Sequence, residues 1–130
     1  MKDVLISIHH KWAQKILNGE KTLEIRKTCP RDLRGSKIIK HRFYIYEPKS
    51  GGGCGMVIGH FECHNVIFSN MTDKPFILTL SCLTKDELKK YVGDSMFYSY
   101  IISNPHRFRE PIPIDGFGIK IPPQSWMYLR

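Results

Sequence analysis

The eight residues Gly19-Glu20-Lys21-Thr22-Leu23-Glu24-Ile25-Arg26 bring an ammonium, a carboxylate and a guanidinium into one short span. Arg26 offers a planar fork of donors that suits a phosphate or a base edge bidentately. Lys21 can meet a phosphate or a developing negative charge. Glu24 can fix the arginine or accept from a base amino group. The bland alternative is a strand-surface ion pair between Glu24 and Arg26, worth about 0–1 kcal/mol, with Lys21 in water. Gly19-Glu20-Lys21-Thr22 also matches the tail of a phosphate-binding loop. The glycine required five residues earlier is Gln14, however, and a helix precedes the span, so a nucleotide triphosphatase is excluded.

The elements that position these groups follow from periodicity. Leu23 and Ile25 alternate with Thr22, Glu24 and Arg26, which predicts a strand over 22–28 with one apolar and one ionic face. Ahead of it, Trp12, Ala13, Ile16 and Leu17 share a helical face over 11–18, and Asn18-Gly19 stops that helix. A first strand is expected over 4–8. Residues 31–40 read as basic and irregular, with Gly35 as a turn, and 42–46 as an aromatic strand. Residues 48–55 hold Gly51-Gly52-Gly53 and read as a mobile connection. One long strand is expected over 56–68, bent near Cys63, and mostly loop over 69–80. Thr84 and Glu87 form a capping box for a second helix ending at Gly93, with Leu83 stapled to Leu88 and with Leu88, Tyr91 and Val92 buried. A strand over 97–102, a basic proline-punctuated loop over 104–113 and an extended tail over 119–129 complete the chain. Many short strands with few helices predict an α+β fold or partly open barrel, not a doubly wound sheet.

At 130 residues, 42% hydrophobic and 25% charged, the chain suits one soluble domain. The net charge is +8, and its placement is uneven. Residues 11–42 hold ten bases against three acids, while 43–130 hold nine against eight. Such a patch favours a polyanion through counterion release. The apolar run 4–8 is too short for a signal or membrane segment, so the expected address is the cytoplasm, with no membrane partner. The four cysteines form no Cys-x-x-Cys pair and are expected as reduced thiols. Cys54, His60, Cys63 and His64 lack zinc-site spacing, and no metal or cofactor is expected.

Ser7-Ile8, then Trp12, Ala13 and Ile16, then Gly19-x-Lys21-x-x-Glu24-x-Arg26 resemble the signature of ASCH domains, a branch of the PUA-like superfamily. Tyr44-Ile45-Tyr46-Glu47, the run from Val57 to Glu62, and Pro122-Pro123-Gln124-Ser125-Trp126 resemble that family's strands and tail. The resemblance implies a PUA-like, partly open β-barrel of about six strands with two or three flanking helices. It also implies a nucleic-acid role, usually RNA. One branch of the family deacetylates N4-acetylcytidine with a lysine, which Lys21 matches, and a threonine three residues later, where this chain has Glu24. Other members are similar to metal-independent ribonucleases, for which Lys21 and Glu24 with His9 or His10 supply acid and base groups.

The expected function is RNA or modified-nucleoside binding in a basic cleft. The expected contacts are His10, Lys11, Lys21, Glu24, Arg26, Lys27, Arg31 and Arg34, with Tyr46 and Trp126 as pocket rings and Trp12 in the core. An enzyme acting on RNA or nucleosides through Lys21 and Glu24 is the alternative. A protein-interaction module would instead require an exposed apolar patch.

Overall fold

The computed structural model describes residues 1–35, 37–70 and 74–130. In chain order the elements are β1 (Lys2–Ser7), α1 (His10–Leu17), β2 (Leu23–Arg26), β3 (His41–Tyr46), β4 (Val57–Cys63), β5 (Val66–Ser69), α2 (Phe76–Ser81), α3 (Lys85–Val92), β6 (Phe97–Ile101), β7 (Ser103–Ile112) and β8 (Trp126–Tyr128). They form a five-stranded sheet, β7-β4-β3-β1-β8, and a three-stranded sheet, β2-β6-β5, which do not close into a barrel.

Alternation builds the first sheet. β3 buries His41, Phe43 and Ile45 and turns Arg42, Tyr44 and Tyr46 to the other face. β1 runs parallel beside it, with Val4 opposite Phe43 and Ser7 opposite Tyr46. Val4, Ile6, Phe43, Ile45 and Phe61 meet Ala13 and Ile16 of α1 and Tyr100 of β6 in one apolar core. Phe43 and Phe61 stack at 5.1 Å. A second core joins Leu23 and Ile25 of β2 to Ile77, Leu88, Val92 and Phe97, so α2 and α3 seat on the smaller sheet.

The α+β class and the partly open architecture stand, with eight strands and three α-helices among the described residues. The expected long strand is two strands. Around residues 64–65 the chain leaves the first sheet as β4 and joins the second as β5, pairing Val66 with Tyr100. All but Pro113 of the expected loop at 104–113 lies in β7. Pro105 and Pro111 are tolerated there because β7 is an outer strand of its sheet, where a missing N–H need not break a ladder. The expected loop at 69–80 contains most of α2, and its residues 71–73 lie outside the described residues, as does Ser36 of the irregular segment. Only Trp126–Tyr128 of the extended tail is a strand. The glycine-rich connection folds as a compact turn, with Gly51 and Gly53 N–H donating to Pro48 O and Gly55 N–H to Glu47 O.

The capping box of α3 is present. Thr84 Oγ1 accepts from Glu87 N–H at 3.1 Å, and Glu87 Oε1 accepts from Thr84 N–H at 2.9 Å. Tyr91 is not buried as expected but 42% exposed. Leu88 and Val92, one turn apart, make the apolar seam, and Tyr91 falls on its flank. Among the described residues, no helix is long and apolar enough to cross a membrane.

Candidate functional site

Both faces of β2 are buried. Leu23 and Ile25 enter the second core, while Glu24 and Arg26 point the other way, toward β1 and the C-terminal segment. The chain enters β2 through Gly19, whose φ of +88° closes the turn after α1. Lys21 N–H then donates to Lys15 O, and Thr22 N–H to Leu80 O. Those bonds aim Lys21 inward, where it is 2% exposed.

Around Glu24 the charges pair completely. Lys21 Nζ lies 3.5 Å from Glu24 Oε1 and donates to Ser81 O at 2.5 Å. Its ammonium also lies 5.2 Å from the Trp12 ring centroid. Arg26 donates to Glu24 Oε2 from Nε at 2.8 Å and from Nη2 at 2.7 Å. Nη2 donates again to Ser7 O at 2.8 Å, and Nη1 to Ser125 Oγ at 3.1 Å. This is neither the solvated surface pair nor a free phosphate fork. The guanidinium is spent on Glu24, and only Nη1 keeps a donor to spare.

Electrostatics follow burial. Desolvation holds the Lys21 pKa below its usual value, and Glu24 only partly offsets it. Burial works against the Arg26 charge too, but Glu24, by charge and hydrogen bond, outweighs it and the pKa rises. Removing the carboxylate would strand two cations away from water, which costs about 3–5 kcal/mol for a broken buried pair.

These three residues floor a cleft of about 800 Å³. Trp12 from α1 and Glu87, Lys90 and Tyr91 from α3 form its walls. His9 and the Gln124-Ser125 segment complete it. Glu87, besides capping α3, comes within 3.9 Å of Lys11 on α1, so the two helices meet across the cleft. The lining holds Lys21, Arg26 and Lys90 against Glu24 and Glu87, so its own charges nearly cancel.

The sequence profile of the ASCH domain matches residues 6–100. The chain belongs to the ASCH domain family. Its fold is shared with the crystal structure of ASCH from Zymomonas mobilis, at 21% identity and a TM-score of 0.81, covering 99% of this chain and 88% of that one. A serine-to-alanine variant of the Zymomonas protein aligns at 23% identity and a TM-score of 0.80, over 99% and 89% of the two chains. A tyrosine-to-phenylalanine variant aligns at 22% and 0.76, over 100% and 91%. A search of curated proteins found no match.

The residues expected at the site of this ASCH domain divide into three groups. Lys21, Glu24 and Arg26 converge on the floor. Lys11 and Lys27 sit over cleft rings, 4.6 Å from the Trp12 centroid and 4.9 Å from that of Tyr91. The others lie outside the lining. His10 turns to Glu47, Nδ1 to Oε2 at 2.9 Å. Arg31 is exposed, and Arg34 lies 6.0 Å from the Tyr98 ring. Tyr46 and Trp126 are not the cleft rings. Strand alternation turns Tyr46 to the face opposite Ile45, and Trp126 Nε1 donates to Thr28 Oγ1 at 3.0 Å.

The rings in the cleft are Trp12, which also packs on the core, and Tyr91. Sequence reasoning passed over Glu87, Lys90 and Tyr91, although their i, i+3, i+4 spacing marks one helical face. Cys54 is exposed while Cys63 is buried, and among the described residues no three His, Cys, Asp or Glu side chains gather as a metal site.

Proposed function

We propose that this ASCH domain binds RNA, or a modified nucleoside within it, with one nucleotide in the cleft. The observation that carries this reading is the contrast between floor and rim. The floor charges satisfy one another, so the cleft suits a neutral planar group rather than a phosphate. A base against Trp12 or Tyr91 gains about 1–3 kcal/mol of stacking. The Gln124 amide, the Ser125 hydroxyl and the spare Arg26 donor can address its polar edge. The phosphates would then lie on Lys11, Lys27 and Lys90, with Arg31 and Arg34 further along the chain.

The test is fluorescence anisotropy with a labelled single-stranded RNA octamer, titrated between low and moderate salt. Affinity should fall steeply, with a logarithmic slope of about −0.7 per phosphate contacted. Replacing Lys11, Lys27 and Lys90 by Gln should flatten the slope. Salt-independent affinity contradicts the proposal.

One observation favours turnover instead: Lys21 and Glu24 meet 3.5 Å apart on the cleft floor, with burial holding the Lys21 pKa below its usual value. Glu24 replaces the threonine of the amidohydrolase branch, and both its oxygens are engaged. A screen of N4-acetylcytidine and labelled RNA separates the readings. Turnover that survives Lys21→Ala would remove Lys21 from catalysis.

A further inference from the structure

His9 lines the cleft, yet among the described residues its ring has no hydrogen-bond partner. What holds it is steric. A Cβ added to Gly51 would collide with His9 Nδ1 and lie 2.7 and 2.9 Å from Cγ and Cε1. The Nδ1 corner of the imidazole therefore rests on the bare Cα of Gly51. The opposite corner, with Nε2, is left free.

The surrounding turn is built for this closeness. Gly52 adopts φ +81°, which glycine takes without strain. A Cβ on Gly53 would lie 2.5 Å from Glu47 Cβ. Glu47, 3% exposed, accepts from Gln14 Nε2 at 3.0 Å and bonds His10 Nδ1 at 2.9 Å. The turn thus supports the start of α1 twice, through Gly51 under His9 and through Gly53 behind Glu47. Of the three glycines that read as a flexible run, Gly51 and Gly53 serve close packing, and Gly52 serves the left-handed turn between them.

We infer that Gly51 is a positioning residue for the cleft, its missing side chain letting the His9 imidazole turn Nε2 toward a polar group of the bound base. This rests on the reading of the cleft as a nucleotide site. Gly51→Ala would push the imidazole off its seat. The far end of a side chain can move, so the fold should survive while the ring is displaced.

The test uses Gly51→Ala, His9→Ala and the double variant, with the same labelled single-stranded RNA octamer as probe. Each single variant should weaken binding about fivefold, the value of one hydrogen bond. The double variant should bind no more weakly than His9→Ala, because without the ring there is nothing left to displace. In parallel, the His9 Cε1–H proton resonance should shift in Gly51→Ala while that of the distant His64 stays in place. Multiplying losses in the double variant, or an unmoved His9 resonance, would overturn the inference. Should the wild-type protein fail to bind the octamer, the nucleotide reading fails, and the resonance comparison still decides the role of Gly51.

Discussion

Two carboxylates in this molecule each hold one lysine and one arginine, in different surroundings. Glu24 pairs with Lys21 and Arg26, whose side chains are 2% and 10% exposed. Glu62 pairs with Lys40 at 2.8 Å and Arg42 at 3.5 Å, whose side chains are 45% and 32% exposed, and it accepts from Asn104 at 2.8 Å. Both carboxylates are themselves buried, Glu62 at 8% and Glu24 at 6% exposed, so the contrast lies in the exposure of their cations. Hydrogen bonds from Lys40 and Asn104 bring the Glu62 pKa from 4.5 down to about 2. Beside Glu24, where the cations are buried, desolvation lowers the Lys21 pKa. The same residue types thus surround a buried carboxylate with part-exposed cations in one place and with buried cations in the other. Water, not composition, separates them.

The comparison breaks most easily at its carboxylates. Glu24→Gln should cost about 3–5 kcal/mol in urea unfolding, because two buried cations lose their counter-charge. Glu62→Gln should cost about 1 kcal/mol or less, because its cations keep their water. Equal losses would show that burial does not distinguish the clusters. On the cation side, Lys21→Met should cost about 1–3 kcal/mol by leaving Ser81 O unpaired. Lys40→Met should stay within about 0.5 kcal/mol.

A pH series sharpens the contrast further. The folded Lys21 pKa lies below 10.5, so between the two values the unfolded chain holds more protons, and the Lys21 contribution to stability rises with pH. Lys21→Met should flatten that alkaline rise. The folded Glu62 pKa lies below 4.5, so its contribution is present above 4.5 and is lost as pH falls toward 2, and Glu62→Gln should flatten that acid limb. The smallest effect is ionic. Raising salt to about 1 M, where the Debye length is about 3 Å, should erode the Glu62 contribution and leave that of Glu24 nearly unchanged.

Local signals carried much of the fold. The capping box of α3, the stop at Gly19 and the alternation in β2 and β3 are short-range rules that tertiary structure obeyed. What the sequence hid depends on partners far along the chain. Nothing local says that Glu24 and Arg26 face β1 and the C-terminal segment, since the deciding contacts reach from Arg26 to Ser7 and Ser125. Tyr91 looked buried because helical spacing fixes a face but not its width. The break between β4 and β5 was hidden because both halves are β-prone and only pairing sends them to different sheets. The Gly51 turn read as flexible because glycine marks both freedom and close packing, and only the His9 ring tells which.

The most direct test of the cleft as a nucleotide site uses the two tryptophans. Trp126→Phe leaves Trp12, in the cleft wall, as the only indole emitter. Titrating that variant with the single-stranded RNA octamer should quench Trp12 emission in a saturable way, with a midpoint matching the anisotropy Kd. Octamer bound by anisotropy with Trp12 emission unchanged would contradict a base seated in the cleft.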